Sequence, residues 1–200
     1  MIKEALRIIA IEMWTPGLIE NVVISNIAGS TLTDMLVERP IYIDIQQHHQ
    51  TDPIELGRLR NVVISNMTTT TRGRIVLTAQ DGSMLEDVTL RDIQLIYPEI
   101  EDPAVVTWAT GSSQISNYNP ETRGKRAVVV ADNVRRLQLT NISARWPAAP
   151  RVPMRGIWAR NVDGGIIDSP YLGPSKPGVA PIVAENSDLE VRAIQGKNTL

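Results

Sequence analysis

Ile19-Glu20-Asn21-Val22-Val23-Ile24-Ser25-Asn26-Ile27 is written again, almost letter for letter, as Leu59-Arg60-Asn61-Val62-Val63-Ile64-Ser65-Asn66-Met67. Residues 85–93 and 134–142 keep the pattern, and fainter copies lie around residues 162–169 and 186–194. The copies alternate apolar and polar residues, the period of a strand with one face turned inward. In the four clear copies an Asn or Asp stands one residue before the closing apolar residue. Self-similarity of this kind is the signature of stacked repeats, in which each unit buries its apolar face only against its neighbours.

A second short strand precedes most copies, at residues 6–12, 40–45, 74–79, 127–132, 156–160 and 181–185. Ile41-Tyr42-Ile43-Asp44 and Ala127-Val128-Val129-Val130 are representative β-branched runs. Each unit therefore reads as strand, turn, strand, loop. The copies begin at residues 19, 59, 85, 134, 162 and 186, with spacings of 40, 26, 49, 28 and 24. A basal unit of 24 to 28 residues with insertions in two places is the behaviour of a β-solenoid, whose insertions gather on one face. Stacked six deep at ~4.8 Å per strand, the units would span about 25 Å. Helical periodicity is almost absent; the first dozen residues read as a strand or a short cap helix, and the strand is favoured. The insertions fall at residues 46–57, 97–103 and 111–125, and Pro-rich turns at 147–153 and 170–181 interrupt the last units.

Composition narrows the function. The 200 residues contain no cysteine, which excludes disulfides and thiolate chemistry and leaves the compartment open. A formal charge of -2 and a pI near 5.7 argue against a nucleic-acid partner and provide no polybasic membrane handle. No apolar run approaches the ~20 residues of a membrane helix. The N-terminus is no convincing signal peptide, since Glu4, Arg7 and Glu12 interrupt it.

The run 19–27, the strand Arg39-Pro40-Ile41-Tyr42-Ile43-Asp44 and the run 59–67 resemble successive rungs of glycoside hydrolase family 28. These are the polygalacturonase-like, right-handed parallel β-helices. Residues 137–146, Arg155-Gly156-Ile157-Trp158 and residues 182–191 are similar to the closing rungs. The resemblance implies an all-β, single-stranded right-handed parallel β-helix of about six rungs. It spans residues 1–200 as one domain, the C-terminal portion of a longer β-helix. It further implies hydrolysis of glycosidic bonds in a pectin-like polysaccharide, with no cofactor or metal. Inverting hydrolysis needs an acid and a base side separated by ~6.5–9.5 Å. The family draws these carboxylates from an Asn-Thr-Asp segment and an Asp-Asp pair, followed by Gly-His-Gly and a substrate-binding Arg-Ile-Lys. None of the first three occurs here. Leu6-Arg7-Ile8-Ile9 matches the last in part: Arg7 stands for the substrate Arg, and Ile9 where the Lys belongs. The chain alone is then expected not to cleave the polymer. The alternative is a non-catalytic carbohydrate-binding or structural solenoid.

Four residues are the candidate substrate contacts. Arg7 comes from the resemblance. His48 and His49, the only histidines, share a polar loop with Asp52 and Glu55, just after Asp44; solvation, sugar contact, acid–base work and metal binding are all open to them. Trp108 opens a Ser/Gly-rich loop and is the best placed of the four tryptophans to stack on a sugar ring. Trp14 and Trp146 are further platforms, whereas Trp158 lies within a strand and reads as packing. Arg123-Gly124-Lys125-Arg126 would suit a uronate carboxylate or simply a solvated loop. Glu12, Asp44 and Glu55 are carboxylates among which spacing picks no pair. Asn26, Asn66, Asp92 and Asn141 share one repeat position and read as turn residues, which tolerate left-handed backbone. Asn66-Met67-Thr68 and Asn141-Ile142-Ser143 fit the glycosylation pattern. Catalytic residues, sugar, linkage, oligomeric state and compartment are not assigned by the sequence.

Overall fold

The computed structural model describes residues 2, 3, 5–32, 38–47, 55–99, 122, 125–147, 155–172 and 179–192. Ten strands follow one another in the chain. They are β1 (Arg7–Met13), β2 (Leu18–Ser30), β3 (Arg39–Ile45), β4 (Arg58–Thr70), β5 (Ile75–Ala79), β6 (Leu85–Ile96), β7 (Ala127–Arg145), β8 (Arg155–Asp168), β9 (Ile182–Glu185) and β10 (Leu189–Arg192). Every named pairing is parallel. The opening residues form β1 rather than a cap helix. A seven-strand path, β1-β3-β5-β7-β6-β4-β2, curls about 290° around an axis, the architecture of an all-β parallel solenoid.

Two ladders run along that axis. The short strands stack in the order β1, β3, β5, β7, β8, β9, and the repeated motif stacks as β2, β4, β6, β7, β8, β10. The long strands β7 and β8 belong to both because the loop between the two segments shrinks there to a single corner residue. Register preserves the repeat: Val22 lies opposite Val62 and Val62 opposite Val88, all packed in one apolar core with Leu137. Like side chains pile into columns, so Ile9, Ile41, Ile75, Val129 and Ile157 fill another part of the same core. Burial is graded along the axis. Leu59, Val62, Ile64 and Met67 are at most 1% exposed, while their β2 counterparts Ile19, Val22, Ile24 and Ile27 are half-buried at the sheet edge.

Single left-handed residues bend the chain within or directly after the strands. Asn26, Asn66, Asp92, Asn141 and Ser169 form one column of positive φ, from 48° to 59°. Asn21, Asn61, Asp87, Arg136 and Gly164 form a second, and Asn133, Asn161 and Asn186 a third. Asn and Asp accept this conformation at low cost, and their side chains bond along the column. Asn61 Nδ2 donates to Asn21 Oδ1 at 2.6 Å, Asn66 to Asn26 at 2.5 Å, and Asn141 to Asp92 at 2.7 Å. In the third column Asn161 donates to Asn133 at 2.9 Å and Asn186 to Asn161 at 2.7 Å. Ser169, Gly164 and Arg136 depart from the Asn/Asp type, and Arg136 grips Asp87 with Nε to Oδ1 at 2.5 Å and Nη2 to Oδ2 at 2.6 Å.

A row of alternating charge decorates one outer column. Glu20, Arg60, Glu86, Arg135 and Asp163 stand opposite one another in register. Arg60 meets Glu20 at 2.6 Å, and Arg135 lies between Glu86 at 3.8 Å and Asp163 at 3.0 Å. Exposed pairs of this kind contribute little to stability individually.

Candidate functional site

Alternation fixes which side chains leave the core on the β1-β3-β5-β7-β8-β9 ladder. Ile9, Ile11, Ile41, Ile43, Ile75 and Leu77 point inward, so the residues between them point outward. Tyr42, Val76, Val130, Trp158 and Val183 make one outward column. Glu12, Asp44, Thr78, Asp132, Arg160 and Glu185 make the next. The second column is the densest set of ionisable groups facing away from the core on this ladder, and Arg7 lies at its β1 end.

Arg7 forms an ion pair with Glu12, and its guanidinium lies 4.7 Å from the Tyr42 ring centre. Arg39, its register neighbour, lies 4.3 Å from the same ring. Cations over an aromatic face are attracted by its quadrupole, the more so where water is excluded. The Tyr42 hydroxyl donates to Asp44 Oδ2 at 2.9 Å. Asp44 is 3% exposed, and that burial pushes its carboxyl up to about 7, against the downward pull of the Tyr42 hydrogen bond and Arg39. Burial also raises the Tyr42 phenol and lowers the Arg39 guanidinium. Arg74 is brought down to about 10, by burial first and repulsion from Arg39 second. Its Nη1 donates to the Lys125 carbonyl.

Further along, Arg160 clamps Asp132 through two bonds of 2.7 and 2.8 Å. Trp158 donates from Nε1 to Glu185 at 2.8 Å, while Lys125 Nζ sits 4.4 Å over the Trp158 ring. Trp158 is 2% exposed in a small outer cluster with Ala127 and Val130, so it packs, as its place in a strand implies.

This geometry sets limits on the chemistry. Glu12 and Asp44 stand opposite each other on adjacent strands, but Glu12 is paired with Arg7 and Asp44 holds the Tyr42 hydroxyl. Asp44 and Asp132 are two strands apart, and Asp132 is held by Arg160. Asp44 can carry a proton near neutrality, but it is nearly enclosed. Tyr42, Asp44, Asp132 and Trp158 are at most 3% exposed, so the row presents to a polar chain chiefly the part-buried Arg7, Glu12 and Arg160 and the exposed Glu185; Glu12, Asp44 and Asp132 each already have a partner.

Of the four candidate contacts, Arg7 is placed on this face, whereas His48, His49 and Trp108 lie outside the described residues, as does Arg123. Ile9, at the position of the family's Lys, is a core residue at 6% exposure. Glu55 lines a different groove, beside Asn133, Asn161 and Asn186. Trp14 is 38% exposed, and Trp146 stacks on Tyr97 with ring centres 3.7 Å apart. The two glycosylation-pattern amides, of Asn66 and Asn141, are engaged in the corner column. Among the described residues, no group of three or more His, Asp or Glu converges as a metal site would. Arg39, Tyr42, Asp132 and Arg160 were not singled out from sequence. Strand alternation in Ile41-Tyr42-Ile43-Asp44 marks one of them, Tyr42, as outward, but its partners depend on register across uneven loops.

Comparison of the chain with protein-family models, with curated proteins and with solved structures finds no match.

Proposed function

We propose that the chain is a single-stranded right-handed parallel β-helix of about six rungs and a polygalacturonase-like segment. It binds a pectin-like polysaccharide along the outward β1-β3-β5-β7-β8-β9 face and does not hydrolyse it alone. The observation that carries this reading is the outward row itself. Arg7 against Tyr42 and beside Glu12, with side chains 22% and 17% exposed, offers a guanidinium for a uronate carboxylate and a carboxylate for sugar hydroxyls, while the enclosed Arg39, Tyr42 and Asp44 hold them in place. Arg7, His48, His49 and Trp108 are the substrate contacts. The family's hydrolytic acids belong to further rungs stacked on β2, whose half-buried Ile19, Val22, Ile24 and Ile27 form an apolar platform at the edge of the sheet.

A second reading is a non-catalytic carbohydrate-binding or structural solenoid. The internal partners of Glu12, Asp44 and Asp132 favour it, since an acid or base committed to a neighbouring arginine or tyrosine is poorly available to substrate.

The test is to incubate the pure chain with polygalacturonate, assaying reducing ends and, separately, retention on the immobilised polymer. Retention without new reducing ends is expected, and Arg7→Gln should weaken it. Release of reducing ends overturns the non-hydrolytic part; no retention by a folded chain overturns the binding part. The two readings separate on a chain extended by rungs carrying Asp-Asp and Gly-His-Gly: only the first expects hydrolysis.

A further inference from the structure

A groove of about 730 Å³ runs along a different side of the solenoid, over the last residues of β4, β6 and β7, and shares no residue with the outward row. Its floor is laid down by register. Thr68 lies opposite Gln94 and Gln94 opposite Ser143, and Ser143 bridges to Tyr171. Asp92 and Asn141 of the corner column form one wall, and Arg145, Trp146 and Tyr171 line the groove as well.

We propose that this groove is a second binding site, for an acidic oligosaccharide. Three properties point to that ligand. The first is a fixed aromatic platform. Trp146 stacks on Tyr97 with planes 9° apart, and Tyr97 is itself buried and anchored by its hydroxyl to the Gly73 carbonyl at 2.8 Å. A ring held this way offers its remaining surface to the C–H face of a sugar without losing rotamer freedom on binding. The second is a set of planar polar groups already oriented by neighbours. Asn141 donates to Asp92 at 2.7 Å, which leaves its own carbonyl for a hydroxyl, while Arg91 Nε lies 3.8 Å from the second Asp92 oxygen. The third is a pre-positioned cation. The Gln94 amide oxygen, turned toward Arg145, accepts from both Nε and Nη2 at 3.2 Å, leaving the other donors of an exposed guanidinium for a carboxylate. Tyr171, at 43% exposed, stands at the far side of the groove as a second ring. A neutral apolar ligand would leave these amides and the guanidinium unpaired.

The test uses the Arg7→Gln protein, so that the outward row contributes least, titrated by calorimetry with a galacturonate hexamer and with its methyl-esterified form. The expected result is saturable binding of the acid hexamer, roughly tenfold or more tighter than of the ester, since only the acid offers a charge-assisted bond to Arg145. Adding Arg145→Gln should abolish that preference, and adding Trp146→Leu should weaken both ligands. Arg145 is exposed, so its replacement leaves the fold intact and keeps the test decisive if the Trp146 variant fails to fold. The proposal is overturned if acid and ester bind alike, if Arg145→Gln binds the acid hexamer as its parent does, or if no binding is detected at millimolar ligand. None of these outcomes bears on the outward row, which is read by comparing the unaltered chain with the Arg7→Gln variant on immobilised polymer.

Discussion

Arg160 reaches across to the neighbouring strand and closes on Asp132 with two parallel bonds, Nε to Oδ1 at 2.8 Å and Nη2 to Oδ2 at 2.7 Å. Asp132 is fully enclosed, and the Arg160 side chain keeps 20% of its surface in water. Removing one partner of such a pair leaves the other charge without compensation, at a cost of about 3 kcal/mol. Asp132→Ala should therefore lose about that much in urea unfolding. The double change Asp132→Leu with Arg160→Met should recover most of it, because a well-packed apolar pair often replaces an enclosed ion pair without loss.

Asp44 makes stability depend on pH in the sense opposite to an ordinary surface carboxylate. Its folded-state carboxyl sits at about 7 against an ordinary value of 3.8, so the native chain holds this proton more tightly than the unfolded chain. The associated stabilisation is complete below about pH 4 and is lost as pH rises through 7. The urea midpoint of the parent should fall between pH 5 and pH 8 relative to that of Asp44→Asn, and the two curves should diverge most at pH 8.

Asp92 interrupts a hydrogen-bonded column. It accepts from Asn141, but a carboxylate has nothing to donate to Asn66, its register neighbour on the other side. Asp92→Asn keeps the left-handed backbone, at φ 55°, and adds a donor there. A gain of about 0.5–1 kcal/mol is expected, and Asn66→Ala should lose about 1–2 kcal/mol through both backbone and bond. Asn66→Gly, which restores the backbone freedom, should fall between parent and alanine variant in chemical denaturation.

Two glycines separate crowding from backbone strain. A Cβ on Gly73 would lie 2.0 Å from the Glu38 carbonyl oxygen, where two chain segments touch. At Gly82, with φ 91°, a Cβ meets nothing within 4 Å. Gly73→Ala should cost about 3 kcal/mol or more because backbone must move, and Gly82→Ala about 1 kcal/mol from the dihedral alone. Thermal unfolding of the two variants checks the order.

The strands were legible because two signals coincide in each repeat: alternation of Val and Ile, and an Asn or Asp where the strand must turn. Asn26, Asn66, Asp92 and Asn141 were recognisable as turn residues for that reason. The second corner column escaped notice because Arg136 and Gly164 break its residue identity, and the third because Asn133, Asn161 and Asn186 begin only in the later coils. The outward row was harder still. Pairing Glu12 with Asp44, or Asp132 with Arg160, requires knowing how many residues each intervening loop spends, and the copies are 24 to 49 residues apart. Alternation tells which way Tyr42 points but not that Arg7 and Arg39 lie against its ring. The stretches of sequence carrying His48, His49 and Trp108 have no repeat to align them.

The corner amides give the coil a sense of direction. In each Asn-to-Asn or Asn-to-Asp link, the later residue gives its hydrogen and the earlier one supplies the oxygen. The two ends are thus chemically unlike, with N–H groups of Asn21 and Asn26 at the leading face and the oxygen of Asn186 at the trailing one. A strand laid against the front must bring an acceptor to each corner, so Asp or Asn fits there and Lys does not, whereas at Asn186 on the back the match is a donor.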